Sequence, residues 1–251
     1  MYHAPYVSDI SYQYDGTFPG FLCCVFESFI RRELPAAVLS PEDGQLTLFG
    51  VRPIATDPAR ADRVYKGINK LGYPVKKRIM TAFLNTDQGK DLTILRFAHL
   101  AFAKGPSAAQ MLGDADCAAA FALERAVGNE AHLMREFIRF EERGDMLGAV
   151  IHPKHYVLPL LRAPFCSRLP DENFLIFDAV HGAALLRRGN DVQYLAMAHY
   201  DPVPSEGETD WQVLWKRFFK ALTIEGRRNE RCQMTHCAKH FWRDMPEMDP
   251  R

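Results

Sequence analysis

Apolar and polar residues alternate in ISYQY, residues 10–14, and this pattern predicts a half-buried β-strand. Asp15-Gly16 follows as a tight turn, and Thr17 can cap a new helix. Over residues 21–30 the apolar side chains recur with the period of an amphipathic helix. The chain therefore opens with a strand, a turn and a helix, and turn geometry alone accounts for Gly16.

The middle of the chain is dominated by helical patterns. A second strand is predicted at 45–54, after which Thr56 or Asp57 can cap the next helix. Further apolar stripes then predict helices at 74–85, 90–103 and 115–135. At the end of the last helix the period changes, and Phe137 and Phe140 indicate entry into a strand.

The second half contains shorter apolar runs that are typical of one antiparallel sheet. The predicted strands are 146–152, 173–180, 183–188 and 192–200. Residues 156–169 are predicted to be helical but broken into pieces by Pro159 and Pro164. After a linker at 202–210, a last helix is predicted to turn six apolar residues inward: Trp211, Leu214, Trp215, Phe218, Phe219 and Leu222.

These elements predict an α+β fold, in which helices surround an antiparallel sheet and both the middle segment and the C-terminus are helical. We expect a single domain over residues 1–251. Its helical subregion is predicted at about 56–135, and its C-terminal helical segment at about 209–245.

The composition is that of an ordinary globular protein, with 47% apolar and 25% charged residues. No run of about eighteen apolar residues occurs, so no membrane-spanning helix is predicted. The first residues lack a basic start followed by an apolar block, and the six cysteines show no Cys-x-x-Cys spacing. Both features predict a cytoplasmic protein with reduced thiols.

Charge balances over the whole chain but is uneven along it. Residues 52–104 carry 11 basic and 4 acidic side chains, and residues 211–251 carry 9 and 5. The neutral balance argues against a general polyanion binder, whereas the two basic segments could hold phosphate groups. The alternative is that these charges only solvate helix faces.

Several familiar site motifs are absent, namely those for phosphate loops, dinucleotides, zinc proteases and serine hydrolases. Three closely spaced cysteines for an iron–sulfur cluster are also lacking. Cys232, His236 and His240 recur every fourth residue, but over two helical turns they span about 12 Å, too far to meet at one ion. No metal site and no cofactor are therefore predicted.

Candidates for acid–base chemistry are Asp15, Glu27, Glu130 and His132. Glu130 and His132 are two residues apart, which on a helix directs them to different sides. The basic residues form a better group, because arginine suits phosphate and exposed aromatic rings among cations suit unstacked bases. This group comprises Arg135, Arg139, Lys216, Arg217, Lys220, Arg227, Arg228 and Arg231, with Asn229 among them.

Four ordered blocks resemble one bacterial family. They are YDGTFPGFLCCVFESF, NEAHLMREFIRF, HPKHYVLPLLRAPFCSRLP and RRNERCQMTHCAKHFWRDMPE, and together they extend over nearly the whole chain. The family they resemble is described as DNA-metabolism or DNA-repair proteins, commonly encoded beside a DNA-modifying radical SAM protein. The same domain also occurs in front of a uracil-DNA glycosylase-like domain. No glycosylase block follows here, so uracil excision is not expected.

The resemblance also implies positions for the family's motif residues. They fall on Asp15, Gly16, Glu27, Glu130, His132, Arg135, Arg139, Phe140, His155, Arg168, Arg227, Asn229, Trp242, Pro246 and Glu247. Two positions depart from the family's pattern. Glu136 replaces a usual glycine, and Thr235-His236 replace a common Met-Pro pair.

Three functions are consistent with these features. The resemblance favours a cytoplasmic accessory protein of DNA repair or modification that acts with the radical SAM partner and binds nucleic acid, in the first place DNA. Its expected contacts are Arg135, Arg139, Arg168, Lys216, Arg217, Arg227, Arg228 and Asn229. With about six phosphates neutralised, the log–log slope of affinity against salt would be near −5.

The second function is a stand-alone enzyme that processes a nucleotide or a damaged base. It would use Glu130, His132 or His155 as acid or base, with Asp15 as a further candidate. The third function is a scaffold whose exposed faces bind only protein.

Overall fold

The computed structural model describes residues 5–41, 49–200, 207–224, 226, 229–237 and 239–248. These residues form a mixed α+β structure, which confirms the predicted fold class. The chain divides into two compact units, Met1–Val127 and Gly128–Arg251, and the boundary falls inside one long helix. The single domain expected over 1–251 stays a prediction.

The first unit combines short parallel strands with helices. Its elements are β1 (Tyr6–Val7), β2 (Ile10–Gln13), α1 (Phe18–Arg31), β3 (Glu33–Leu34), β4 (Ala37–Leu39), β5 (Gly50–Pro53), α2 (Pro58–Lys70), α3 (Tyr73–Phe83), α4 (Lys90–Lys104), a 3-10 segment (Gly105–Gln110) and the start of α5 (Ala115–Phe137). Strand β2 lies between β4 and β5 and runs parallel to both. Helix α1 therefore connects two parallel neighbours, because parallel strands need a crossover.

Helices α1 and α2 begin where the sequence predicts. The Thr17 hydroxyl accepts the amide of Gly20 at 3.1 Å. The Asp57 carboxylate accepts the amides of Ala59 and Arg60 at 2.8 and 3.1 Å. Both helices carry proline in the first turn, where no amide donor is required. These local signals confirm the strand–turn–helix opening.

A buried imidazole lies in the core of the first unit. The His99 ring stacks on Phe29 with centroids 4.0 Å apart, and its Nε2 lies 2.7 Å from the Ser28 hydroxyl. That hydroxyl donates to the carbonyl of Glu33, so the His99 Nε2 is the donor in their contact. Burial lowers the pKa of His99 to about 4.

The second unit contains a five-stranded sheet and the remaining helices. After α5 its elements are β6 (Glu141–Arg143), β7 (Met146–Ile151), α6 (Leu158–Arg168), β8 (Phe174–Asp178), β9 (Ala183–Arg188), β10 (Asp191–Ala196), α7 (Glu208–Leu222), α8 (Glu230–His236) and 3-10 segments Lys239–Asp244 and Pro246–Met248. The strand order is β10-β9-β8-β7-β6. The sheet is mostly antiparallel, as predicted, but β7 and β8 are parallel because α6 crosses between them.

Two predictions for this unit are wrong. Helix α5 continues through Phe137, and the next strand begins only at Glu141. Helix α6 is one piece rather than several: Pro159 lies in its first turn and Pro164 inside it. Its buried residues Leu161 and Phe165 pack into the core, and this packing supports the helix in spite of the proline. Across the described residues, no helix is both long and apolar enough to cross a membrane.

The buried His99 predicts a specific pH dependence of stability. Its pKa is about 4 in the folded state and near 6.5 when unfolded, so the unfolded chain binds more protons between these values. The free energy of unfolding should therefore fall as pH decreases from 6.5 to 4, by about 3 kcal/mol from this residue. His99→Gln keeps an N–H donor for Ser28 but removes the titration.

The measurement is urea unfolding of both proteins across this pH range. Carboxylates that titrate near the lower end of this pH range contribute equally to both proteins. Subtracting the stability curve of His99→Gln from that of the wild type therefore removes their contribution. The wild type should lose more stability than His99→Gln as the pH falls. Parallel curves would show that the imidazole is not buried in its neutral form.

Candidate nucleic-acid-binding cleft

Helix α7 exposes the apolar side that the sequence predicts to be buried. Trp211, Leu214, Trp215, Phe218, Phe219 and Leu222 are between 37% and 65% exposed, so the prediction that they face inward is wrong. The spacing identifies an apolar face correctly but cannot specify what lies opposite that face. Glu208, at the beginning of the helix, is its buried residue.

Glu208 attaches α7 to the sheet. One carboxylate oxygen accepts the amide of Glu142 at 2.8 Å, and the other accepts the side-chain amide of Gln212 at 3.1 Å. Gln212 also donates to Glu141 at 3.2 Å. The first two turns of α7 are thereby held at β6, while the turns that follow carry exposed rings.

A cleft of about 850 Å³ lies along the exposed face of α7. We call it the aromatic cleft. One wall consists of Trp211, Leu214, Trp215 and Phe218, and the opposite wall is formed by Phe140, Leu147, Phe165 and Leu169. Charged side chains at the cleft are Arg139, Arg168, Glu141, Glu142 and Glu208. The cleft is therefore apolar along its walls and carries charges of both signs.

Arg139 connects this cleft to the C-terminal segment. Its Nε and Nη2 donate to the same oxygen of Glu247, at 3.0 and 2.7 Å, and the Glu247 side chain is only 1% exposed. The Arg139 guanidinium also lies 5.9 Å from the centre of the Trp215 ring. That ring is 5.9 Å from Phe218 and tilted by 32° against it. Much of the positive charge of Arg139 is balanced by Glu247.

The other predicted basic residues lie in several places. Arg168 ends α6 at the cleft, with Nη1 3.5 Å from the carbonyl of Arg135. On α7, Arg217 and Lys220 are exposed and Lys216 is half-buried, outside the apolar stripe. Asn229 caps α8 by accepting the amide of Cys232 at 3.0 Å. Arg227 and Arg228 lie outside the described residues.

The basic segment 52–104 is largely engaged in ion pairs within the first unit. Arg78, for example, lies in the core between Phe97 and Phe121 and donates to Glu124 at 3.0 Å. Other pairs join Arg52 to Glu33, Arg60 to Glu27, Lys66 to Asp62 and Lys77 to Glu124. The segment therefore offers less uncompensated charge than its composition suggests.

The acid–base candidates of the second unit serve structural hydrogen bonds. The Glu130 carboxylate accepts the amides of Lys154 and His155 at 2.7 and 2.8 Å, so it anchors the loop after β7. His155 itself is buried. His132 is exposed on α5, where its Nε2 lies 3.1 Å from Glu136. None of these residues lines the aromatic cleft.

For Cys232, His236 and His240 the sequence predicts no metal site. Among the described residues, no group of three or more His, Cys, Asp or Glu side chains could hold an ion. The side chains of His236 and His240 lie outside the described part of the chain. For these two residues the sequence expectation stays untested.

One family model matches the chain, over residues 88–247, and its description is a domain of unknown function, DUF4130. The chain belongs to the DUF4130 family. No curated protein and no solved structure matches it. The DUF4130 match contains every residue that lines the aromatic cleft and the last three of the four sequence blocks. The first block, with Asp15, precedes the match.

Asp15, in the first unit, forms the hinge between β2 and α1. Its carboxylate accepts the amide and hydroxyl of Thr17 at 3.0 and 2.7 Å, and the hydroxyl of Thr56 at 2.6 Å. Burial raises the pKa of Asp15, but these hydrogen bonds outweigh it and leave the pKa below its ordinary value. The carboxylate lies against Gly20, where a Cβ would overlap its Oδ1. The Asp15 carboxylate therefore lies beside the first turn of α1. The absence of a side chain at Gly20 leaves space for it.

This contact predicts that Gly20→Ala destabilises the protein, by about 1–3 kcal/mol, because the added methyl collides with Asp15 and Thr56. The matched control is Gly128→Ala in α5, where a Cβ meets nothing within 4 Å. That change should stabilise the helix by up to about 1 kcal/mol. Urea unfolding measures both effects.

A second test uses the double variant Asp15→Ala with Gly20→Ala. It should lose less stability than the sum of its two single variants, because Asp15→Ala removes the group that the methyl strikes. Equal stability of the Gly20→Ala and Gly128→Ala proteins would contradict this account of the hinge.

Proposed function

We propose that this DUF4130 protein is an accessory protein of DNA repair or DNA modification that holds an unpaired stretch of nucleic acid in the aromatic cleft. The observation that carries the proposal is the exposed row of Trp211, Trp215 and Phe218 along an apolar cleft of about 850 Å³. Ligand sites in proteins commonly enclose about 300–1,000 Å³, so the cleft is large enough for one or more nucleotides.

The spacing of the rings supports binding by stacking. Trp211, Trp215 and Phe218 recur at the interval of about one helical turn, so they lie on one side of α7, about 6 and 4.5 Å apart along its axis. The Trp215 and Phe218 centroids are 5.9 Å apart, too close for a base between the two rings, so a base would stack on the exposed face of one of them. Such stacking contributes about 1–3 kcal/mol per base and does not depend on sequence. Paired bases in a duplex are already stacked, and for that reason we expect a preference for single strands.

The charges around the cleft support a modest contribution from phosphate. Arg168 lies at the cleft, and Arg217 and Lys220 extend from the opposite side of α7. Arg139 is balanced by Glu247, and Glu141 is paired with Arg143. If Arg168 neutralises about one phosphate, the salt slope for a single strand is about −0.7. This value is smaller than the slope near −5 expected from the sequence.

One part of the proposal rests on the sequence resemblance: the radical SAM protein is the functional partner and would carry out the chemistry that this chain assists. The cytoplasmic location is expected from the cysteine pattern of the sequence. The stand-alone enzyme receives less support, because Glu130 serves backbone hydrogen bonds and His155 is buried.

The proposal predicts that the chain binds labelled single-stranded DNA more tightly than duplex of equal length at low salt. Fluorescence anisotropy at several salt concentrations measures both the affinity and the slope. Trp211→Ala combined with Trp215→Ala should weaken single-strand binding by at least about tenfold, because two stacking platforms are lost. The matched control is Tyr73→Ala, which removes an aromatic ring that is 74% exposed in the first unit.

Three results would contradict it: no single-strand binding at low salt, tighter binding to duplex, or an equal loss in Tyr73→Ala. The scaffold function would be correct instead if the chain binds a radical SAM protein but no oligonucleotide. In that case the double tryptophan variant should no longer bind the radical SAM protein.

A further inference from the structure

A second cluster of reactive side chains lies at the carboxyl end of β8, apart from the aromatic cleft. Asp178 is fully buried, and its Oδ2 lies 2.6 Å from the Nδ1 of His181. The other carboxylate oxygen accepts the amides of Val180 and His181 at 3.0 and 3.1 Å. The carboxylate thus fixes both the turn after β8 and the orientation of the imidazole ring.

One phenol, Tyr156, flanks this pair, and a second, Tyr194, lies on the same face of the sheet. The Tyr156 ring is perpendicular to the His181 ring, with centroids 5.6 Å apart. Tyr194 of β10 lies opposite Leu185 in β9, which lies opposite Ile176 in β8. Cross-strand neighbours share a face, and Asp178 follows Ile176 by two residues. Tyr194 and Asp178 therefore point to the same side of the sheet.

Helix α6 covers that side and adds a cation. The Phe165 ring of α6 packs on Phe174 of β8 with centroids 6.5 Å apart. One turn earlier on α6, Arg162 interacts with the Tyr194 phenol. Arg162 and Tyr194 are both exposed, and the His181 side chain is 18% exposed. The cluster is therefore accessible from solvent.

We propose that Asp178, His181, Tyr156, Tyr194 and Arg162 form an anion site for the phosphate group of a nucleotide, with His181 protonated when the phosphate is bound. The site is separate from the aromatic cleft and does not depend on the function proposed for it.

The chemistry of the group fits a phosphate. An imidazolium donates from both nitrogens, and Asp178 accepts from Nδ1 and stabilises the positive charge. Arginine and the tyrosine hydroxyls supply further donors to phosphate oxygens. Groups that face His181 and Tyr194 from the neighbouring elements include Asp178, Tyr156, Arg162 and Cys166. Asp178 is the one carboxylate among them, and its charge is shared with His181.

The chain offers a matched control in a second carboxylate-paired histidine. The Nδ1 of His152 lies 3.0 Å from both oxygens of Asp244, and its side chain is 20% exposed. His152 follows β7, so its side chain points to the opposite face of the sheet from Asp178. It therefore reproduces the carboxylate–histidine pair without Tyr194 and Arg162.

The experiment follows the histidine ring signals of the full chain by NMR during titration with inorganic phosphate and with a nucleoside 5′-monophosphate. Saturating phosphate should raise the pKa of His181 by about one unit, because an adjacent anion favours the imidazolium. The ring signals of His152 should not respond to either ligand. If the nucleotide binds more tightly than inorganic phosphate, the site also contacts the nucleoside. If the two affinities are equal, the site contacts the phosphate group alone.

The variants separate binding from folding. His181→Gln and Arg162→Gln should each weaken phosphate binding about tenfold, whereas His152→Gln should leave it unchanged. Arg162 is exposed, so its replacement tests the site even if changes near Asp178 impair folding. A His181 signal that does not respond to millimolar phosphate would overturn the proposal. Equal shifts of His181 and His152, or equal effects of their two variants, would overturn it as well.

Discussion

Two buried carboxylates hold the aromatic cleft in place. Glu247 fixes Arg139 just before β6, and Glu208 fixes the start of α7 to the main chain of β6. Removing a carboxylate from water costs several kcal/mol, so each must be compensated by donors in the fold. Arg139 donates two hydrogen bonds to Glu247. The main-chain amide of Glu142 and the side-chain amide of Gln212 donate to Glu208. The shape of the cleft depends on these contacts, because they attach α7 at one end and leave its apolar face along the opening.

The exposed face of α7 is the feature that most needs a functional explanation. Its four aromatic side chains alone expose on the order of 400 Å² to solvent. Apolar patches of this size on a protein surface are often interaction sites. Aromatic rings spaced by one helical turn, with Arg168 at the cleft, suit bases and phosphates better than a purely aliphatic face would. The family match extends over the whole cleft, while the family itself has no described function.

Local signals in the sequence were sufficient for much of the fold. The caps Thr17 and Asp57, and the 3.6-residue stripes of α1 to α5, depend on neighbours only a few residues away. The pairing of β7 with β8 could not be predicted in this way, because the same short apolar runs suit parallel and antiparallel neighbours. The continuity of α6 through Pro164 depends on tertiary packing, which overrides the local preference.

The candidate sites were less predictable than the fold. The apolar stripe of α7 was visible, but burial of such a stripe is the ordinary outcome, and no local pattern signals that it stays exposed. The contact of Asp178 with His181 is local, because the two residues are three positions apart. Tyr156 and Tyr194 are distant in sequence, so their place in this cluster could not be predicted from local patterns. Glu130 was predicted as an acid–base candidate, and in the structure its carboxylate accepts the amides of Lys154 and His155.

Photo-cross-linking tests most directly whether the aromatic cleft receives nucleic acid. A single-stranded oligonucleotide carrying a photoreactive base is irradiated with the full chain, and the modified peptides are identified by mass spectrometry. Our account predicts that adducts concentrate on α7, at Trp211, Trp215 and Phe218, and on the opposite wall at Phe140. Adducts confined to the basic segment 52–104, with α7 unmodified, would contradict it.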